Sequence, residues 1–193
     1  MKKSRVFNLV LTAILVALVV VLQVFASGLR IGAVTLSFVL IPIVLGACLI
    51  NEFSGLFLGF IFGMITLIAG ITGADAFTNI YFTNNPLVTI LICIVKACAA
   101  GYVAGLVYKT LKKKNEYLAV TVASAVAPVL NTGIFILGSL LLRDVILANF
   151  ITDGSTVLYF LVFVCAGVNF IVEFLTTTIL TPVIYTAYRK LKR

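Results

Sequence analysis

Residues 87–108 read LVTILICIVKACAAGYVAGLVY and contain one charged side chain, Lys96. A helix of this length, rising 1.5 Å per residue, is about 33 Å long and matches the roughly 30 Å hydrocarbon core of a bilayer. Five other apolar runs are separated by polar residues and cover residues 6–26, 36–50, 53–71, 117–142 and 157–188. The sequence therefore predicts an all-α integral membrane protein, a bundle of six transmembrane helices that forms a single domain over residues 1–193.

Composition agrees with a membrane protein, since 63% of residues are hydrophobic, 10% are charged and the mean hydropathy is +1.26. The run at 36–50 is short and follows closely on the next, so these two could instead form a hairpin with a re-entrant element. The run at 6–26 also resembles a signal peptide, with basic residues ahead of it. Its apolar core is longer than the about 7–15 residues of such signals, so we predict a transmembrane helix.

The net charge of +8 comes mainly from clusters beside the apolar runs. Eleven of the fourteen basic residues lie in three clusters: Lys2, Lys3 and Arg5; Lys109 and Lys112 to Lys114; Arg189, Lys190, Lys192 and Arg193. Basic residues concentrate in cytoplasmic loops of membrane proteins. We therefore predict a multi-pass protein of the cell membrane with both termini and the 109–116 loop in the cytoplasm, and no nucleic-acid partner.

Residues for catalysis and metal binding are scarce. The chain has no histidine, and its four cysteines lie in apolar stretches without a CxxC pair, so we predict buried thiols, no metal and no cofactor. Asp75, Asp144 and Asp153 fall in predicted loops, and no GxSxG or paired-aspartate pattern occurs. We predict that the protein is not an enzyme. An intramembrane enzyme and a stand-alone channel or exporter are the alternatives from other classes.

Four polar side chains are predicted at similar depth inside the membrane. Lys96 lies ten residues after Pro86, Glu173 is near the middle of the last run, Asn169 precedes Glu173 by one helical turn, and Asn131 is central in the fifth run. A charge at this depth costs several kcal/mol and needs a partner or a function. Two explanations stay open: a structural Lys96–Glu173 ion pair, or a pocket in which the lysine binds an anionic group of a ligand.

The predicted outer loops supply further candidates. The loop at 72–86 has one acid, no base and several amides and aromatic rings, so it either covers a pocket or is a solvated connector. From it we take Asn79 and Tyr81 as candidate substrate-binding residues. Arg30 is the basic residue of the loop at 27–35 and competes with Lys96 for an anionic group.

Small residues recur at four-residue spacing and predict close helix packing. Most such sets are expected to pack inside the protein: Gly55, Gly59 and Gly63; Ala97, Gly101 and Gly105; Ala119, Ala123 and Ala127. Ala13 and Ala17 differ, because the rest of their helix is Leu, Val and Ile. We predict that they form a docking surface for another protein.

Taken in order, these features resemble the substrate-binding S component of energy-coupling factor (ECF) vitamin transporters. The resemblance rests on a basic N-terminus, Ala13-x-x-x-Ala17, the IPIVLGA run at 41–47, the glycine-rich third helix, residues 101–109 and the APVLNTG run at 127–133. It implies six helices, capture of a vitamin or precursor, and docking on one transmembrane scaffold subunit with two ATPases. It also implies that Ala13 and Ala17 face the scaffold subunit. The chain has no GxxxxGK[ST] loop, which agrees with an ATPase in a partner chain.

The resemblance leaves several substrates to choose from. Members for nickel and cobalt use imidazole ligands, which this chain lacks, and the thiamin type stacks its ligand on indole, whereas this chain has no tryptophan. A buried lysine with amides suits a carboxylate that bears hydroxyls and an amide. The sequence looks most like the pantothenate type, and folate and riboflavin remain open.

Overall fold

The computed structural model describes residues 2–26, 30–31, 34–35, 38–152 and 154–191. In chain order the elements are α1 (Lys2–Ala26), β1 (Arg30–Ile31), β2 (Val34–Thr35), α2 (Leu40–Leu49), α3 (Glu52–Ile71), α4 (Ala76–Asn84), α5 (Pro86–Leu111), α6 (Glu116–Leu140), α7 (Arg143–Asn149), α8 (Val157–Tyr159), a π-helix (Phe160–Ala166) and α9 (Gly167–Leu191). The two short strands pair antiparallel, with Arg30 opposite Thr35. The side chain of Arg30 lies outside the described residues.

Five helices in the described part are long and apolar enough to cross a membrane. By length and composition they cover Arg5–Phe25, Glu52–Ile71, Pro86–Leu111, Glu116–Leu140 and Val157–Lys190. The apolar helix α2 is shorter, at ten residues or about 15 Å, and all of its residues from Leu40 to Cys48 are buried. The predicted all-helical membrane architecture is confirmed, whereas the count of six spans stays a prediction.

Helices α3 and α5 pack at backbone distance through glycine. A Cβ added at Gly59 would lie 2.2 Å from the carbonyl oxygen of Ala97, and one at Gly55 would lie 2.4 Å from that of Gly101. Both distances are far below van der Waals contact, so a residue larger than glycine would push the helices apart. The predicted internal packing of these small residues is confirmed.

Two segments that we predicted as loops contain helices. The loop at 72–86 holds α4, and the segment after α6 holds α7. Helix α4 lacks an apolar stripe of helical period, and tertiary contacts stabilise it instead, because Phe77 packs against Tyr81, Phe135 and Phe150. We did not predict helices at these positions, since the sequence pattern does not show such long-range contacts.

The bundle has two distinct ends. Glu52 at the start of α3 forms an ion pair with Lys109 near the end of α5, and Glu116 at the start of α6 forms one with Arg189 near the end of α9. We call this the basic end and the opposite one the α4 end. Helix α1 begins at the basic end, because its Leu15 lies beside Gly46 near the end of α2, whereas Gln23, further along, lines a cavity in the middle of the bundle. The side of the membrane that each end faces stays a prediction.

Candidate functional site

A cavity of about 70 Å³ in the middle of the bundle is lined by Lys96, Asn131, Asn169 and Glu173. These four side chains come from α5, α6 and α9, and the structure brings them together as the spacing predicted. An adjoining cavity of about 50 Å³ is lined by three of them, Lys96, Asn131 and Asn169. The polar layer is therefore present, and binding of a substrate by these residues stays a prediction.

Other elements complete the cavity with residues that sequence reasoning missed. They are Gln23 of α1, Phe62 and Thr66 of α3, Asp75 before α4, Phe77 and Thr78 of α4, and Phe135 of α6. Gln23 could have been found, because it is a polar residue in a strongly apolar run. Asp75 was assigned to a loop, and only the fold of α4 shows that it reaches the cavity wall.

Lys96 is half-buried and lies near two aromatic rings. Its Nζ is 5.3 Å from the centroid of Phe135 and 5.9 Å from that of Phe62, within the range of cation–π attraction. The ion pairs of the described residues are Glu52–Lys109, Arg143–Asp144 and Glu116–Arg189. The direct Lys96–Glu173 ion pair that we considered is therefore not formed there, and the lysine acts on Glu173 only at longer range.

Several acceptors that face the cavity have no hydrogen-bond partner. These oxygen atoms are Gln23 Oε1, Asn131 Oδ1, Asn169 Oδ1 and Glu173 Oε2. Glu173 is 2% exposed. A buried polar group left unpaired costs about 1–3 kcal/mol, and a charged one costs more. Unpaired acceptors that face one cavity together with a lysine form a site suited to a ligand with hydrogen-bond donors and an anionic group.

Helix α4 forms the wall of the cavity at the α4 end. Thr78 Oγ1 donates to Asp75 Oδ2 at 2.5 Å, and both residues line the cavity. Asn79 Nδ2 donates to the Gly70 carbonyl at 2.8 Å and ties α4 to the last turns of α3. The buried ring of Tyr81 packs 4.6 Å from Phe77. Neither Asn79 nor Tyr81 lines the cavity. In this structure both hold α4, which covers the cavity at this end, in place.

The π-helix ends three residues before Asn169. Such helices are rare and frequently lie at functional sites. One of its residues, Cys165, lines the smaller cavity beside Asn169. No sequence pattern predicts this π-helix.

The cavity is small for an organic ligand. Pockets for such ligands measure about 300–1,000 Å³, against about 70 Å³ and 50 Å³ for the two adjoining cavities. A ligand of vitamin size therefore requires a wall to move. Helix α4 is the short wall element, whereas α3, α5, α6 and α9 each run for 20 residues or more.

A second polar group, the basic-end cluster, consists of Tyr108, Glu116, Tyr185 and Arg189. The two tyrosine hydroxyls lie 2.6 Å apart, and Tyr185 donates to Glu116 Oε1 at 2.6 Å. Arg189 Nη2 donates to Glu116 Oε2 at 3.0 Å. The cluster joins α5, α6 and α9, and its two α9 residues are 69 or more positions from their partners in α5 and α6, which is why we did not predict it.

Ala13 and Ala17 are exposed on the outer face of α1. Among the side chains of this helix that the structure describes, Leu15 and Val19 are buried, on the opposite face. In the described structure the two alanines therefore do not contribute to packing inside the chain. Their face is available to lipid or to another protein, and docking of a partner there stays a prediction.

Comparison with known proteins covers nearly the whole chain. A family model described as "ECF transporter, substrate-specific component" matches residues 7–185. A search of curated proteins gave no match. The matched residues include both alanines of α1 and every residue that lines the two cavities.

Proposed function

The chain belongs to the substrate-specific components of ECF transporters, and from this we propose that it binds a vitamin or vitamin precursor for import, with pantothenate as the substrate. Proteins of this family are membrane subunits of transporters that bind a small molecule and work with a scaffold subunit and ATPase subunits. The proposal concerns which molecule this chain binds and which residues bind it.

The proposal rests on the polar groups around the cavity that have no partner within the protein. Lys96 has no direct carboxylate partner among the described residues, and four acceptors around the same space lack donors. A carboxylate of the ligand would pair with the ammonium in a charge-assisted hydrogen bond. Hydroxyl and amide hydrogens of the ligand would satisfy the oxygens of Asn131, Asn169 and Gln23.

Pantothenate fits this inventory by its chemistry. It has a single carboxylate, an amide N–H and two hydroxyls, so it offers one anionic group and three donors. Folate has two carboxylates and a larger ring system, and riboflavin has no carboxylate. The single lysine in the cavity therefore favours pantothenate over both, and a comparison of the three ligands tests that choice.

The test uses the purified chain in lipid nanodiscs and isothermal titration calorimetry with pantothenate, folate and riboflavin. We expect pantothenate to bind most tightly. Tight binding of another of the three would keep the family role and reject pantothenate as the substrate, whereas binding of none would reject all three candidate substrates. Flux of pantothenate into liposomes that contain this chain alone would show a stand-alone carrier, because a substrate-specific component should need its ATPase partners.

Exposed small residues on α1 support docking at Ala13 and Ala17. Without side chains larger than methyl, this face allows another helix to approach closely. Replacing both residues with Leu should abolish uptake in cells that express the partner subunits, and leave pantothenate binding by the isolated chain unchanged. Val95→Leu, at an exposed site on α5, is the matched control and should leave uptake intact. Equal loss of uptake and binding in the double variant would contradict a docking role.

A further inference from the structure

A polar series runs along α9 and winds around it. Every fourth residue in the series is polar: Asn169, Glu173, Thr177, Thr181, Tyr185 and Arg189. Neighbours spaced by four lie on the same side of a helix with an offset of about 40°, so the series winds gradually around α9, and we call the surface it follows the α9 polar face. This α9 polar face begins at the mid-bundle cavity, where Glu173 lies, and ends at the basic-end cluster, where Tyr185 and Arg189 lie.

The middle of this face is buried, and its hydroxyl groups have no hydrogen-bond partners in the described structure. Thr177 and Thr181 are 0% exposed, and their hydroxyls have no hydrogen-bond partner in the described structure. Threonine in a helix often donates to the carbonyl four residues earlier. Thr176 and Thr186 do so, at 2.7 Å to Val172 and 2.7 Å to Pro182. The two hydroxyls on the buried face therefore differ from those of Thr176 and Thr186 and need an acceptor or donor from elsewhere, as does the hydroxyl of Thr178, which is also unpaired.

Water molecules can bridge the residues of this face. Residues four apart are separated by about 6 Å along a helix. Two hydrogen bonds of about 2.8 Å that meet at the roughly tetrahedral angle of one water oxygen span about 4.6 Å, and a second water molecule extends the reach beyond about 6 Å. A chain of one or two water molecules between neighbouring residues would thus satisfy Glu173 Oε2 and both hydroxyls. Tyr185 ends the series, because its hydroxyl is already bonded to Tyr108 and Glu116.

We propose that bound water molecules line the α9 polar face and connect the Glu173 carboxyl to the Tyr185–Glu116 pair, which gives Glu173 a route for proton exchange with the basic end. Each oxygen in the series accepts a proton from one side and donates its own to the other. The net step moves one proton from solution at the basic end to the Glu173 carboxylate and forms the neutral acid, with no change of oxidation state.

The surroundings of Glu173 allow such an exchange. Lys96 of α5 is the charge that acts on it, and Asp75, ahead of α4, lines the same cavity. Helices α6 and α1 present the neutral Asn131 and Gln23 there, and the π-helix presents Cys165 to the adjoining cavity. The buried residues of α2 are apolar apart from Cys48, which lies at its basic end. Proton exchange at Glu173 is independent of which vitamin the chain binds.

Isosteric removal of the hydroxyls tests whether they hold water. Replacing an unpaired buried hydroxyl with a methyl group is neutral or stabilising, whereas removing one that is hydrogen-bonded is destabilising. If water is bound, Thr177→Val and Thr181→Val should each lower the Tm of the purified protein in nanodiscs by about 2–4 °C. Thr181→Ser, which keeps the hydroxyl, is the matched control and should lower Tm less than Thr181→Val. Unchanged or raised Tm in both valine variants would overturn the proposal.

Infrared spectroscopy tests the proton route without any ligand. The C=O stretch of a protonated Glu173, identified by its loss in Glu173→Gln, shifts when the carboxyl exchanges its proton for deuterium. After transfer to D₂O we expect the Thr177→Val/Thr181→Val double variant to exchange at least tenfold more slowly than the unaltered chain. Equal exchange rates in the two proteins would show that Glu173 does not use this face.

Discussion

The mid-bundle cavity and the basic-end cluster contain similar side chains but differ in how these are paired. At the basic end, the Glu116 carboxylate accepts hydrogen bonds from Tyr185 and Arg189, so each of its two oxygens has a partner within the protein. In the cavity, Glu173 is more deeply buried, yet one of its oxygens has no partner and Lys96 is not in direct contact with it. Residue type alone therefore does not distinguish a structural ion pair from a binding site. The two are distinguished by whether their polar groups have partners within the protein.

This difference has opposite energetic consequences for the two regions. A paired group stabilises the fold, so its removal leaves a partner unsatisfied and costs stability. An unpaired group already costs stability, so its removal should leave the fold unharmed and weaken binding of a ligand that completes it. Substitutions in the cavity should therefore weaken binding more than stability, and substitutions at the basic end should do the reverse.

The largest effect is expected for Lys96→Met in the cavity. Removing one partner of a desolvated charge pair costs about 2–5 kcal/mol, which is about 30-fold to several thousand-fold in Kd. Titration calorimetry with pantothenate should show this loss, and Tm should stay within about 2 °C. The loss should be smaller for the alcohol analogue of pantothenate, which lacks the carboxylate. Arg30→Ala is the control, and a larger loss there would transfer the role to Arg30.

At the basic end, Glu116→Gln and Tyr185→Phe should have the reverse pattern. Each leaves hydrogen-bonding groups of the cluster unpaired and should lower the free energy of unfolding by about 1–3 kcal/mol. Thermal unfolding in nanodiscs measures this loss, while the Kd for pantothenate should change less than threefold. A strong loss of binding without loss of stability would remove the distinction between the two regions.

Glu173→Gln provides an intermediate test in the cavity. The neutral amide retains an acceptor, so a ligand hydroxyl still finds a partner, and we expect binding to weaken only about tenfold, or about 1.4 kcal/mol. Because an incompletely paired buried carboxylate is removed, Tm should be unchanged or higher. If Glu173→Gln and Lys96→Met both lower Tm and leave binding intact, these residues are structural and the cavity is not the binding site.

The smallest effect is expected in the cover formed by α4. Because the cavity is smaller than a vitamin, this short helix should be more mobile before binding and more protected after it. Hydrogen exchange of the peptide containing residues 76–84 should slow a few-fold at saturating pantothenate, while the peptide containing 116–124 at the basic end stays unchanged. Unchanged exchange of the α4 peptide would show that α4 does not become more protected when the ligand binds.

The local sequence pattern was sufficient to predict the long helices and the layer of polar side chains inside the bundle. Apolar length predicts a helix because a membrane segment must satisfy its backbone internally, and helical spacing placed Asn169 and Glu173 on one face. The features that the sequence did not predict depend on contacts between residues distant in the chain. Helix α4 is held by the rings of Phe77 and Phe135, the basic-end cluster joins residues 69 or more positions apart, and the absence of a Lys96–Glu173 pair follows from the exact path of α5 and α9.

The central claim is that the mid-bundle cavity holds a carboxylate ligand on Lys96. The most direct measurement is mass spectrometry of small molecules released by denaturation from purified protein, compared between the unaltered chain and Lys96→Met prepared in the same way. We predict that the unaltered chain releases a vitamin or precursor with one carboxylate, close to one per protein, and that Lys96→Met releases little of it. Release of the same carboxylate in equal amount from both proteins, or of no such compound from the unaltered chain, would contradict the account.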